Sequence, residues 1–107
     1  RVPVIGFPRG ASLESYIKYS NLENISALSL DEKFSLKNLR LLNQKITYQG
    51  NLNPELLLGD KETLVKKTKE ILLAFEDYPH IFNLGHGVLP TTPVENVNLM
   101  IETIRRT

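Results

Sequence analysis

His86 stands between Gly85 and Gly87, and Arg9 between Pro8 and Gly10; these are the two side chains whose settings best suit chemistry. An imidazole donates a hydrogen bond or a positive charge to an anion close to neutral pH. A guanidinium offers a planar fork of donors that matches a carboxylate. Flanking glycines let the backbone come close to a ligand, although turns between strands and helices also use glycine for their own geometry. For a lone histidine the ordinary reading is an exposed or structurally satisfied ring, and for Arg9 it is a plain surface charge. What weights His86 toward function is its expected place, at the end of a strand and ahead of a helix whose free N–H groups favour anions. His80 opens the same strand at its other end and is read as structural.

Other chemistries find little support. His80 and His86 are six residues apart, about 20 Å along an extended strand, too far to share one ion. The chain has no cysteine, so it has neither a disulfide framework nor a thiolate zinc site, and a reducing cytoplasm is compatible. Gly85-His86-Gly87 lacks the third glycine of a dinucleotide fingerprint, no phosphate-loop lysine signature is present, and no serine sits in a nucleophile elbow. Thirteen basic and twelve acidic side chains leave a formal charge of +1, without the broad basic footprint of a nucleic-acid binder. Lys61, Lys66, Lys67 and Lys69 read as one solvated helix face.

The elements that must position these residues follow from the period of the chain. Its 107 residues allow one domain, and 41% hydrophobic with 23% charged residues is ordinary for a globular one. Leu56-Leu57-Leu58 is typical of the longest apolar runs, far below the roughly 20 residues of a membrane span. No signal peptide is visible, and a chain that opens on Arg1 rather than Met is expected to be a piece of something longer. Strand-like runs fall at residues 2–7, 25–30, 45–50 and 80–85. Helical signals follow each, at residues 12–19, 35–43, 61–75 and from 92 onward. In the third helix Leu64, Val65, Thr68, Ile71, Leu72 and Phe75 share a face. For the last, Thr92 is expected as the cap, Pro93 at the first helical position and Glu95 three residues after the cap, with Val94, Val97, Ile101 and Ile104 on the inner face. This βαβαβαβα order predicts an α/β fold of four parallel βα units. Half of a (β/α)8 barrel and a four-stranded open sheet both fit the pattern. Either one places ligands at the carboxyl ends of the strands, where residues 8–11, 31–33, 49–54 and 85–87 lie.

Three of these strand-end segments, in this order, resemble the uroporphyrinogen decarboxylase family: Val2-Pro3-Val4-Ile5-Gly6-Phe7-Pro8-Arg9-Gly10, Gln49-Gly50-Asn51-Leu52-Asn53-Pro54, and Asn83-Leu84-Gly85-His86-Gly87-Val88-Leu89-Pro90. The Asn-Leu-Gly-His-Gly segment followed by Thr-Pro and a helix is the most specific; the first strand alone would be weak. Asn53 stands where the family usually has Asp, an exchange between two capping residues. The resemblance extends over residues 1–107 and implies the C-terminal half, four βα units, of a single (β/α)8 TIM barrel domain. It further implies a cytoplasmic homodimer in tetrapyrrole (heme) biosynthesis that converts the four acetate groups of uroporphyrinogen III to methyl groups, giving coproporphyrinogen III and carbon dioxide. Neither metal nor organic cofactor is implied, and neither nucleic acid nor membrane is an expected partner. The family's arginine-rich loop, aspartate, tyrosine and serine have no counterpart in this chain, so its catalytic residues are expected elsewhere. What carries over is His86, as a group that meets a substrate carboxylate; Arg9 matches a basic strand-end position and is kept as a second substrate-binding candidate. Zinc-dependent methyltransferases of the same superfamily are the competing enzyme reading, disfavoured because their zinc is held partly by cysteine. The remaining alternative is a folded but catalytically silent fragment, whose open sheet edges should make it dimerise or aggregate.

Overall fold

The structure, a computed structural model, describes residues 2–107. Four short strands, β1 (Ile5–Gly6), β2 (Ala27–Ser29), β3 (Thr47–Gln49) and β4 (His80–Ile81), form one parallel sheet in the order β1-β2-β3-β4. The parallel βα reading of the sequence is therefore met, with each strand shorter than its apolar run: β2 and β3 take the centres, β1 the second half and β4 the first two residues. An isolated parallel bridge between Leu52 and Leu84 carries the β3–β4 pairing past the strand ends.

Helices α1 (Leu13–Ser20), α2 (Lys61–Ala74) and α3 (Val94–Arg106) join or follow the strands. Each start has a local cause. Ser12 Oγ accepts from Ser15 N–H at 3.2 Å, and the Asp60 carboxylate accepts from Thr63 N–H at 3.0 Å, both satisfying donors that a first helical turn leaves free. In α2 the expected face holds: Leu64, Thr68, Ile71 and the capping Phe75 are buried, with Val65 and Leu72 half-buried beside them.

Three expectations need correction. Residues 35–43 form a 3-10 helix over Leu36–Leu41 rather than an α-helix. The reason is spacing: Leu36, Leu39 and Leu42 turn inward at intervals of three, the period of the tighter helix. A second 3-10 helix, Pro54–Leu58, follows β3 without having been marked in the sequence; Asn53 Oδ1 caps it by accepting from Glu55 N–H at 3.0 Å. At α3, the cap is Pro93 and not Thr92, since the Pro93 carbonyl accepts from Asn96 N–H at 3.1 Å while its own backbone stays extended. The inner face of α3 is also rotated: Asn96 and Thr103 are buried, Val97 and Met100 pack on the core, and Val94 and Ile101 face outward.

Residues paired across parallel strands share a face of the sheet. Gly6, Leu28, Tyr48 and His80 lie on one face, and Ile5, Ala27, Ser29, Thr47, Gln49 and Ile81 on the other. All helices cover the first face. A single apolar cluster joins Leu28 and Tyr48 to Tyr16 of α1, Leu39 and Leu57 of the 3-10 helices, Leu64 of α2 and, at its margin, Val97 of α3. Tyr48 stays inside this cluster because its hydroxyl donates to the Asn43 carbonyl at 2.6 Å, and burial pushes its ionisation up to about 12. Among the described residues, the opposite face carries no helix.

Candidate functional site

The loops at the carboxyl ends of the strands are drawn together around the turn that follows β2. Asp31 is buried there, and its carboxylate accepts three backbone N–H groups: Gly10 at 2.6 Å, and Lys33 and Phe34 at 3.1 Å each. Its own N–H donates to the Tyr16 hydroxyl at 3.2 Å. Burial and the neighbouring Asp31 raise the ionisation of Tyr16 to about 12, so that hydroxyl is neutral at any physiological pH. From the end of β3, the buried Asn51 amide donates to the Asp31 and Phe34 carbonyls at 2.9 and 3.1 Å. The ends of β1, β2 and β3 are thereby tied by hydrogen bonds, three of them to the Asp31 carboxylate, which braces the three loops.

The end of β4 joins the same turn through Gly85, whose backbone lies so close that a Cβ would come within 2.3 Å of Glu32 N. The next residue is His86. Its Nε2 is 2.8 Å from Glu32 Oε2, and its Nδ1 is 3.2 Å from the Gly87 carbonyl. The two side chains keep only 20% and 15% of their surface exposed. Carbonyl and carboxylate oxygens accept, so the two contacts are hydrogen bonds at the same time only when both ring nitrogens bear protons. The arrangement can hold an imidazolium beside a carboxylate at the mouth of the strands and present an N–H to an anion.

His80 is placed as its sequence position suggested. Its ring stacks on Phe75, 3.8 Å between centroids and 4° from parallel, and Nε2 lies 2.7 Å from the Gly50 carbonyl. Burial lowers its ionisation from the ordinary 6.5 and outweighs the opposing pull of the Gly50 carbonyl. The ring fixes Gly50, where φ is +126° and a Cβ would meet the Leu30 carbonyl oxygen at 2.6 Å. Arg9 lies exposed on the turn after β1, next to the Gly10 N–H that Asp31 binds. Its guanidinium makes no ion pair among the described residues. The fold thus unites His86 with Glu32 and brings the Arg9 loop beside the same turn, with the Arg9 guanidinium outside any ion pair of the described residues.

The sequence model of the family described as Uroporphyrinogen decarboxylase (URO-D) matches residues 1–107. The chain belongs to the uroporphyrinogen decarboxylase family. It is 44% identical over 103 residues to the uroporphyrinogen decarboxylase of Wolbachia sp. subsp. Brugia malayi (strain TRS), covering 96% of this chain and 29% of that protein. Against the Rickettsia africae (strain ESF-5) enzyme of the same name it is 43% identical over 105 residues, 98% of this chain and 30% of the relative. The Rickettsia canadensis (strain McKiel) enzyme gives 42% over 105 residues, 98% and 31%. The chain therefore spans about 30% of the length of the curated relatives it matches.

Within this family segment, sequence reasoning picked out His86 but missed its partner. Asp31-Glu32-Lys33 was placed at a strand end, yet nothing in its spacing tied Glu32 to a histidine on a different loop. The tightness of Gly85 was the available signal: a glycine just before His86 implies that some backbone presses on it, and that backbone is Glu32. No helix among the described residues is long and apolar enough to cross a membrane.

Proposed function

We propose that these residues form the C-terminal four βα units of a (β/α)8 barrel that decarboxylates uroporphyrinogen III to coproporphyrinogen III, in the cytoplasm and as a homodimer, with uroporphyrinogen as its small-molecule partner. Sequential parallel order and helices on one face alone support the barrel: a doubly wound sheet reverses its strand order and covers both faces. The names of the relatives support the substrate.

The chemistry sets what this part must do. Each acetate arm loses its carboxylate as carbon dioxide, the electron pair of the broken C–C bond passes into a protonated pyrrole, and the arm regains a proton as a methyl group. The substrate serves as its own electron sink, so the protein binds a many-charged macrocycle and stabilises the charged intermediate. His86 donates an N–H to one substrate carboxylate, and Arg9 offers a second positive group at the rim. The arginine-rich loop, aspartate, tyrosine and serine implied by the family resemblance act from outside this chain. The methyltransferase alternative needs cysteine ligands for zinc, and the chain has none.

The observation that carries this reading is His86, paired and mostly covered, at the carboxyl mouth of the strands within a family-matched segment. At the full natural length of the protein, conversion of uroporphyrinogen III is expected. His86→Gln is expected to raise KM roughly tenfold, the worth of one hydrogen bond to a charged group, with the melting temperature unchanged. Unchanged kcat/KM in that variant sinks the assignment of His86. The 107-residue chain by itself should yield no coproporphyrinogen, and a measurable yield would overturn the division of labour just described.

A further inference from the structure

We infer that Glu32 is a positioning residue that holds Nε2 of His86, so that the Nδ1–H edge of the ring is the one offered to a substrate carboxylate. This rests on the reading of His86 as a substrate contact. The two polar contacts of the ring differ in kind. At 2.8 Å, Nε2 and Glu32 Oε2 form a charge-assisted pair between two largely covered side chains. On the other edge, Nδ1 meets a neutral carbonyl at 3.2 Å, in an exposed part of the turn and on the very next residue. An incoming carboxylate replaces the second contact far more readily than the first.

The carboxylate also springs from a fixed point. Glu32 follows Asp31, whose side chain is held by three N–H groups, and its own backbone is pressed against Gly85. Competing charges are turned elsewhere. Lys67, which lines the same cavity of about 310 Å³ as Glu32, is paired with Glu70 at 3.1 Å, and Lys33 is exposed. Among the described residues, His86 is the only ion-pair partner of Glu32. The arrangement follows the logic by which a carboxylate fixes one ring nitrogen so that the other faces the chemistry.

The test uses the protein at its full natural length, with histidine rings labelled by nitrogen-15 and the His86 signals assigned by their loss in His86→Gln. Without substrate, Nδ1 of His86 should read as protonated. In Glu32→Ala, Nε2–H loses its carboxylate acceptor, so both ring-nitrogen signals should shift, and KM for uroporphyrinogen III should rise roughly tenfold while kcat changes less than KM. Glu32→Gln keeps a side-chain oxygen that can accept from Nε2–H, so it should restore much of the affinity lost in Glu32→Ala. Matching melting temperatures separate these effects from misfolding. An Nδ1 signal and a KM unmoved by Glu32→Ala, in a protein where His86→Gln does raise KM, overturn this inference alone. If His86→Gln also leaves KM unmoved, the site reading falls with it.

Discussion

Gly85 is the residue on which the His86–Glu32 pair depends without taking part in it. A methyl group there meets Glu32 N at 2.3 Å and Glu32 Cα at 2.9 Å, so two backbones must part to admit it. Overpacking of this kind costs about 1–3 kcal/mol. Because the displaced backbone bears Glu32 and the displacing one leads into His86, Gly85→Ala should weaken both stability and substrate binding. The urea midpoint and KM of the full-length protein, measured side by side, check this. A normal midpoint would mean that the two loops yield freely, and the rigid support claimed for Glu32 would be lost. Gly87 offers the contrast: a Cβ there meets nothing within 4 Å, so His86 is tightly braced on one side only.

At the scale of elements, His80 joins the end of α2 to the end of β3 by stacking on Phe75 and bonding to the Gly50 carbonyl. Its ionisation lies below the unfolded value of 6.5 because burial disfavours the charged ring. The unfolded chain therefore takes up the proton first as pH falls. The contribution of His80 to stability is present above about pH 6.5 and is lost as pH drops toward the lower folded value. Between about pH 7.5 and 5.5 the melting temperature should fall more for the native sequence than for His80→Gln. Equal falls would show that the folded ring takes up a proton as readily as the unfolded one, and the burial effect would be lost.

The same elements show what the sequence made legible. Apolar periodicity located all four strands and the buried face of α2, since both depend on residues near one another in the chain. It misread α3, where outward-facing Val94 and Ile101 had been expected inside. The buried positions are Asn96, whose amide donates to the Leu57 carbonyl at 2.7 Å, and Thr103, whose hydroxyl donates to the Leu99 carbonyl at 2.8 Å. A backbone partner offsets much of the cost of burying a polar side chain, although Asn96 Oδ1 is left without one, and hydrophobicity alone is blind to such partners. The site divides the same way. His86 was visible because its glycine frame is local, whereas Glu32 and the bracing by Asp31 and Asn51 are contacts between loops far apart in sequence.

For the whole molecule, the consequence lies in the face of the sheet without helices and in its two edges. Ile5 on β1 is 51% exposed and Ile81 on β4 is 44% exposed, both on that open face. Val2, Val4 and Phe7 add apolar surface on the β1 side, and Val88 and Val94 beyond β4. Within this chain β1 and β4 each pair on one side only, so their other backbone donors and acceptors are unmatched. Exposed apolar side chains at the margins of that face and two free edges favour association in water. The 107-residue chain by itself should accordingly show concentration-dependent self-association in sedimentation velocity, with Ile5→Lys and Ile81→Lys together shifting it toward monomer. In the full-length protein, with the proposed barrel closed, the same double substitution should instead lower stability, because both side chains would then be enclosed. A monodisperse 107-residue monomer at every concentration, or a full-length protein indifferent to the two lysines, would mean that this face is finished as it stands, and the proposed barrel would lose its main structural support.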